Sequence, residues 1–390
     1  MPPFVTPRYG NGALADLIPS VLGVLGVAGE ADRIGLGTDG ARRVAVLLVD
    51  GMGAELLAAH RDVAPFLNAA LTNGAPQRTL TAGFPSTTAT SLASLGTGVP
   101  AGEHGIVGYL LAIPGHDRLM NPLNWRLTGK GPRVDLLKGV VPEQFQPVPT
   151  AFERAGAEGV TVTQVAPTYQ DGSGLTRAAL RGSEFRPCFS SGDLVDGVIT
   201  ALGQGDRSLV YAYHGDLDLT GHVRGPNSEA WALELAQVDL TVRLIAERLP
   251  VGSALIVTAD HGMVEIAEPV DFDTNSELRV GVRAVGGEPR ARHVYTEPGA
   301  ADEVAAAWRT VLGADFTVLT RAEVIASGWF GPRVAAHVTA RIGDVVVVAN
   351  GHGAVTRSAA EPHHSRLIGH HGSLTSAEML VPLCTYYEPF

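Results

Sequence analysis

Residues 44–51 read Val44-Ala45-Val46-Leu47-Leu48-Val49-Asp50-Gly51. A continuous β-branched and leucine run closed by Asp-Gly suits a strand of a parallel sheet, because helices on both sides let every side chain be apolar. Two later segments repeat the form. Leu209 to Tyr213 leads to Asp218, and Ala254 to Ala259 leads to Asp260-His261. Between them, Trp231, Leu235, Val238, Val242, Ile245 and Leu249 recur at helical spacing until Pro250 stops the helix. Strands alternating with helices predict an α/β fold with a doubly wound, mainly parallel sheet.

Working outward, residues 1–40 read as an N-terminal arm with one helix in the apolar stretch Leu17 to Val27. Residues 280–332 read as a small α+β insertion. Val282 to Val285 and His293 to Tyr295 look like hairpin strands, Asp302 to Leu312 like an amphipathic helix, and Phe316 to Leu319 like a further strand. The chain is expected to rejoin the main sheet at Asp344 to Val348, so that 41–279 and 333–390 form the catalytic core. Leu110 to Gly139, with Asn121, Asn124 and Trp125, reads as a long loop of the kind that forms lids or binding loops.

Of the 390 residues, 45% are hydrophobic and 18% charged, which is the composition of a globular chain and not of a disordered one. A formal net charge of -11 disfavours stable binding to nucleic-acid backbones. Cys188 and Cys384 stand far apart and outside any CxxC spacing, so reduced thiols are expected. No signal-peptide pattern and no bilayer-length apolar run is read, so a soluble, cytoplasmic protein without a membrane partner is expected.

Several acids and histidines fall where strands end, the place at which doubly wound sheets bind ligands. Asp50 and Asp260 close two apolar runs and Asp218 follows a third. His222 lies four residues after Asp218, His261 adjoins Asp260, and His371 stands in Gly369-His370-His371-Gly372. Mixed Asp/His sets select zinc or a similar divalent ion, and carboxylates gathered together are costly without cations. Singly, each has an ordinary explanation: Asp50 as a cap, His261 as a satisfied core histidine, Asp218 to His222 as a turn. His352, His363 and His364 read as structural or exposed. Phe84-Pro85-Ser86-Thr87-Thr88 enters a helix rich in small residues, where a hydroxyl meets free N–H groups and a dipole suited to phosphate. Ser86, Thr87 and Thr90 read as ordinary caps of that helix.

In this order the residues resemble the alkaline phosphatase superfamily, and within it the nucleotide pyrophosphatase/phosphodiesterase group. The resemblance is carried by Asp50-Gly51, Phe84 to Thr88, Thr97-Gly98, Pro100, His104 to Ile106, Asp218-x-x-x-His222-x-x-Gly225-Pro226, Asp260 to Met263, and His371-Gly372. It implies two divalent metal ions, usually zinc, with manganese in some relatives. Asp50, Asp260, His261 and the Thr88 oxygen would hold one, and Asp218, His222 and His371 the other. Thr88 would be the nucleophile, with Thr87 the alternative register, and His104 a structural histidine.

The group's phosphoryl-binding Asn falls at Tyr109 here, so Tyr109 or Asn124 would have to donate instead. The resemblance implies hydrolysis of a small phosphoester, such as a nucleotide, through a phosphothreonine intermediate. The alternatives are a phosphomonoesterase or phosphonate hydrolase on the same scaffold, and an idle metal-binding scaffold. The motif segments carry no Arg or Lys beside Thr88, which favours diesters over the more highly charged monoesters.

Overall fold

The computed structural model describes residues 4–72 and 78–390. The principal strands are β1 (Arg43–Val49), β2 (Thr161–Pro167), β3 (Glu184–Cys188), β4 (Ser208–His214), β5 (Ser253–Thr258), β6 (Val282–Glu288), β7 (Ala291–Thr296), β8 (Phe316–Thr320), β9 (Val345–Ala349) and β10 (Cys384–Glu388). The helices that matter to the site are α1 (Thr88–Thr97), α2 (Gly174–Ala179), α3 (Ser191–Leu202), α4 (Asp216–Arg224) and α5 (Glu229–Ala246).

The large sheet has the order β10-β5-β1-β4-β2-β3. All its pairings are parallel except that of β10, which closes one edge antiparallel to β5. This is the doubly wound, mainly parallel α/β fold that the apolar runs predict. From Val44 to Val49 β1 is buried at every residue, as are Ser253–Thr258 of β5, which is why neither shows a two-residue alternation. Leu48 pairs with Tyr213 on one side and Thr258 on the other. The three strands therefore end at one level, and the residues after them emerge at one edge of the sheet.

The smaller sheet has the order β6-β7-β9-β8 and is antiparallel. The hairpin, the helix Ala301–Leu312 and the following strand form at the expected places. The expectation that Asp344 to Val348 rejoin the main sheet is not met: Val345–Ala349 lies between β7 and β8 in the smaller sheet. Its side chains are buried on both faces there too, so an unbroken valine run reads the same in either sheet. The strands β2, β3 and β10 carry no comparable apolar run. Thr161, Thr163, Gln164, Glu184 and Arg186 interrupt them, and their place in the sheet is set by tertiary packing.

The smaller sheet is locked to the main body by a buried ion pair. Arg290, in the turn between β6 and β7, makes two hydrogen bonds of 3.0 and 2.7 Å to the carboxylate of Glu378, and both side chains are fully buried. Glu378 Oε1 also accepts from the Ser373 amide at 3.0 Å, and its carbonyl receives the Gly262 amide at 2.8 Å. The pair thus braces the segments after His371 and His261. Replacing Arg290 by Met strands a buried carboxylate, and Arg290→Met is expected to cost about 3–5 kcal/mol of unfolding free energy. Urea unfolding of the variant beside the parent measures this, and a loss under about 1 kcal/mol would remove the brace from the account.

Candidate active site

The residues singled out from the sequence meet at the sheet edge. Asp50 follows β1 and is fixed by its amide, which donates to the His214 carbonyl at 2.9 Å. Gly51 then turns with a φ of 74°, and a side chain there would press on Asp218 Oδ1 at 2.9 Å, so only glycine lets the two acids approach. Asp260 and His261 follow β5. Asp260 Oδ1 accepts the Gly51 and His261 amides at 3.1 Å each. Asp218 and His222 lie one turn apart on α4. His371 arrives from the C-terminal segment.

Each histidine is aimed in the same way. His261 Nδ1 lies 3.0 Å from the Gly262 carbonyl, His222 Nδ1 2.7 Å from the Gly369 carbonyl, and His371 Nδ1 2.9 Å from the Ser86 carbonyl. A carbonyl can only accept, so Nδ1 holds the hydrogen and Nε2 presents its lone pair inward. Around His261 Nε2 stand Thr88 Oγ1 at 3.2 Å, Asp260 Oδ2 at 3.2 Å and Asp50 Oδ1 at 3.4 Å. His222 Nε2 stands 3.3 Å from Asp218 Oδ2. Once deprotonated, and apart from the threonine hydroxyl, these atoms offer lone pairs and no proton to share. Ligands about 2.0–2.1 Å from a tetrahedral cation are separated by about 3.3 Å, which matches the spacing.

The orphaned atoms point the same way. Asp260 Oδ2 and Asp218 Oδ1 are buried with no hydrogen-bond partner. Burial, with Asp260 and Asp218 nearby, pushes the Asp50 carboxyl well above the carboxylate range, and burial also raises Asp260. Burial would raise Asp218 as well, but His222, His371 and His261 hold it low. The donor sets Asp50–Asp260–His261 and Asp218–His222–His371 each converge within 4.8 Å and fit two divalent cations.

Thr88 opens α1. The preceding Thr87 is the cap residue, but its side chain makes no capping bond, contrary to the expected cap. It meets the Glu288 carboxyl instead. Ser86 is not a cap either, since its hydroxyl donates to the Ser373 carbonyl at 2.7 Å, and the buried Thr90 hydroxyl has no partner. The first N–H groups of α1 therefore stay free of side-chain caps beside Thr88. His104 is fully buried. Its Nδ1 accepts from the Ile106 amide at 3.1 Å, its Nε2 meets Ser94 Oγ at 3.0 Å, and burial holds its pKa down at about 3. It ties α1 to the following loop.

Tyr109 approaches the site through His364, whose ring centroid lies 6.3 Å from that of His222. The Tyr109 ring stacks on His364 with centroids 4.9 Å apart. Asn124 is exposed, and neither residue lines the cavity that opens beside Thr88. Trp125 is buried, with its indole donating to the Val140 carbonyl at 2.7 Å, so the 110–139 loop is pinned and only Leu123 of it reaches the cavity. His352 and His363 are exposed, as read from the sequence.

Two residues near the site have no counterpart in the sequence reading. The Tyr213 hydroxyl donates to Asp50 Oδ2, leaving Oδ1 to face His261 and Thr88. Glu288, the last residue of β6, is buried behind Thr87 and accepts the Tyr109 amide at 3.1 Å, and burial pushes its carboxyl up to about 8. Tyr213 sits at the end of an apolar run and is legible as a strand terminus. Glu288 lies in Gly286-Gly287-Glu288-Pro289, which looks like an ordinary turn.

The cavity beside Thr88 has a volume of about 590 Å³. Asp50, Asp218 and Thr88 form its floor, Leu92, Leu175, Leu180 and Leu194 its walls, and Tyr169, Phe189 and Leu219 its exposed rim. Ser173 and Thr176, from a stretch that reads equally as a turn or a substrate loop, also line it, while Arg181 pairs with Glu153.

The doubly wound sheet carries two Asp/His clusters at one edge, with the threonine hydroxyl beside the first, which is a candidate two-metal site. The chain belongs to the family described as type I phosphodiesterase / nucleotide pyrophosphatase, whose model matches residues 44–374. Among solved structures it resembles murine ectonucleotide pyrophosphatase/phosphodiesterase 5, with a TM-score of 0.66, 19% identity and 87% of each chain covered. It resembles phosphonoacetate hydrolase from Sinorhizobium meliloti 1021 with a TM-score of 0.67, 20% identity, and 90% of this chain and 91% of that one covered. Among curated proteins, it is 38% identical over 77 residues to ectonucleotide pyrophosphatase/phosphodiesterase family member 7 of Rattus norvegicus. That match spans 18% of each chain. It is 28% identical over 121 residues to the catalytic subunit of GPI ethanolamine phosphate transferase 3 of Homo sapiens, spanning 11% of that protein. No helix among the described residues is long and apolar enough to cross a membrane.

Two expectations follow from the geometry. Because the Asp50 and Asp260 carboxyls sit above their ordinary range without a cation, protons compete with the metal and affinity falls as pH falls. Up to about tenfold is lost per pH unit for each proton displaced. Calorimetry in two buffers of different ionisation heat counts the released protons, and an affinity indifferent to pH would contradict this. Tyr213→Phe frees Asp50 Oδ2 and is expected to weaken metal binding by roughly 10–100-fold in competition with a chelator, leaving the fold intact.

Proposed function

We propose that the chain is a phosphodiesterase that cleaves a small phosphodiester by way of a phosphothreonine at Thr88. The observation that carries this reading is the threonine hydroxyl at the meeting point of His261, Asp50 and an uncapped helix start. Asp50, Asp260, His261 and Thr88 would hold one divalent ion, and Asp218, His222 and His371 the other, with zinc the proposed metal. When bound, such ions supply Lewis acidity, lowering the pKa of a coordinated hydroxyl and neutralising charge on phosphoryl oxygens.

The protein's own groups do the positioning. Asp50, held by Tyr213 from behind, and His261, held by the Gly262 carbonyl, fix the Thr88 oxygen for in-line attack on phosphorus. The free N–H groups at the start of α1 receive a phosphoryl oxygen. The cavity holds the ester group that stays on phosphorus. Attack by Thr88 breaks the bond to the leaving alcohol, and water then cleaves the phosphothreonine, so two inversions give net retention. The solved relatives include an inactive murine phosphodiesterase 5 in complex with AMP and the phosphonoacetate hydrolase in complex with phosphonoformate. A nucleotide-like diester and a phosphonate are therefore the two substrates to try first. A phosphomonoesterase is the weaker reading, since a dianionic monoester usually needs a further cationic partner, and no Lys or Arg lines the cavity among the described residues.

Thr88→Ala is expected to lower turnover of a chromogenic diester by at least about a thousandfold while elemental analysis still finds two metals per chain. Thr88→Ser should keep measurable turnover. If Thr88→Ala stays active, the nucleophile is another group. If it loses its metals as well, the loss of activity no longer speaks to attack by Thr88.

A further inference from the structure

A second pocket, about 280 Å³ in volume, lies between the N-terminal arm and the short strand Thr79–Thr81. It shares no lining residue with the cavity beside Thr88. Three arginines line it, Arg8, Arg33 and Arg78, together with Asn11, Gly12 and Thr79. No acid lines it among the described residues, and residues 1–3 and 73–77, outside the described set, contain neither Asp nor Glu. None of the three arginines forms an ion pair among the described residues, whereas Arg154, Arg177, Arg181 and Arg186 all do.

Carbonyls hold two of the three in place. Arg8 Nη2 donates to the Thr79 carbonyl and Arg78 Nη2 to the Gly35 carbonyl. A carbonyl orients a guanidinium but leaves its charge standing. The neighbouring acids are engaged elsewhere. Asp16 accepts from the Gly10, Gly12 and Ala13 amides, and Asp32 from the Ile34, Gly35 and Leu36 amides. Glu30 pairs with Arg154 at 2.8 Å. Three cations gathered around one small space repel one another, and an anion between them relieves that repulsion. Guanidinium groups fork onto oxyanions through parallel hydrogen bonds, and the Thr79 hydroxyl and Asn11 amide in the same lining can donate as well. The volume, at the lower end of ligand pockets, suits a small ligand.

We propose that this pocket is an oxyanion site, and that its ligand is a phosphate group, free or carried by a small molecule, held by Arg8, Arg33 and Arg78. Bound there, the anion also fastens the arm to the chain that leads into α1. The Arg8 amide already donates to Thr81 Oγ1 at 2.9 Å, and Arg78 directly precedes that strand.

Calorimetry with inorganic phosphate on the metal-loaded chain tests this. A metal centre would take phosphate too, so the parent is compared with arginine variants. Arg33→Gln and Arg78→Gln are each expected to weaken one phosphate-binding event by at least about tenfold, the loss of one charge-assisted contact. That event should survive when a chelator removes the metals. Arg33 is exposed, so its replacement leaves the fold intact. Arg33→Lys should lose less than Arg33→Gln, and Arg333→Gln, which removes an exposed charge elsewhere, should lose nothing. 2-Hydroxyethylphosphonate, whose carbon–phosphorus bond stands in for an ester link, separates the two sources. Binding tighter than phosphate at the arginine-dependent event assigns the site to a phosphorylated small molecule, and weaker binding assigns it to the free anion. Phosphate binding unaltered in both Arg33→Gln and Arg78→Gln, or weakened equally by Arg333→Gln, overturns the inference. Turnover enters none of these readouts, so the test stands whether or not Thr88 acts on a diester.

Discussion

Like charges brought together out of water are the constraint on which the site depends. Asp50 and Asp260 are buried, Asp218 is nearly so, and the histidines beside them turn lone pairs inward. Once deprotonated, no arrangement of these groups satisfies itself, because apart from the Thr88 and Tyr213 hydroxyls they bring no proton to share. The structure around them resists their separation. Asp260 is held by two amides and Asp50 by the Tyr213 hydroxyl. Glycines allow the approach: a side chain on Gly262 would meet the Ala377 carbonyl at 1.9 Å. Groups fixed in mutual repulsion form a preorganised cation site, since little of the binding free energy goes into gathering the ligands.

The smaller sheet is the counterpart of that rigidity. Its hairpin sends Glu288 behind Thr87 and Arg290 to Glu378, so both the start of α1 and the segment bearing His371 rest on it. Gly372, with φ of 129°, passes so close to Glu288 that any side chain would strike its stem at 2.5 Å. What looks like an appended unit in the sequence is a back wall of the site. Glu288 can lie there as a neutral acid because burial makes ionisation costly, and a neutral carboxyl near a phosphoryl site adds no repulsion.

The central strands and the candidate metal-binding clusters are legible because both leave strong local marks. Valine and leucine runs announce doubly covered strands, and Asp and His at their ends announce the functional edge. The order of those motifs made the family resemblance specific. Glu288 and Tyr213 were not read as parts of the site, because their roles depend on tertiary approach and not on spacing. The valine run at 345–348 was assigned to the wrong sheet for a related reason: burial on both faces erases the pattern that distinguishes one sheet from another. The capping role read for Ser86 fails because a tertiary partner, the Ser373 carbonyl, outcompetes the local helix amides, and Thr87 makes no capping bond.

The site also separates physically into two parts. The charged floor is built by residues just past the ends of β1 and β5, placed by strand register, and by residues on α4. The cavity wall comes from β3 and the segments around α2 and α3, toward the far edge of the sheet, where the strands are polar and interrupted. A change in the floor disturbs every buried charge at once, because each is balanced only by the others and the cation they surround.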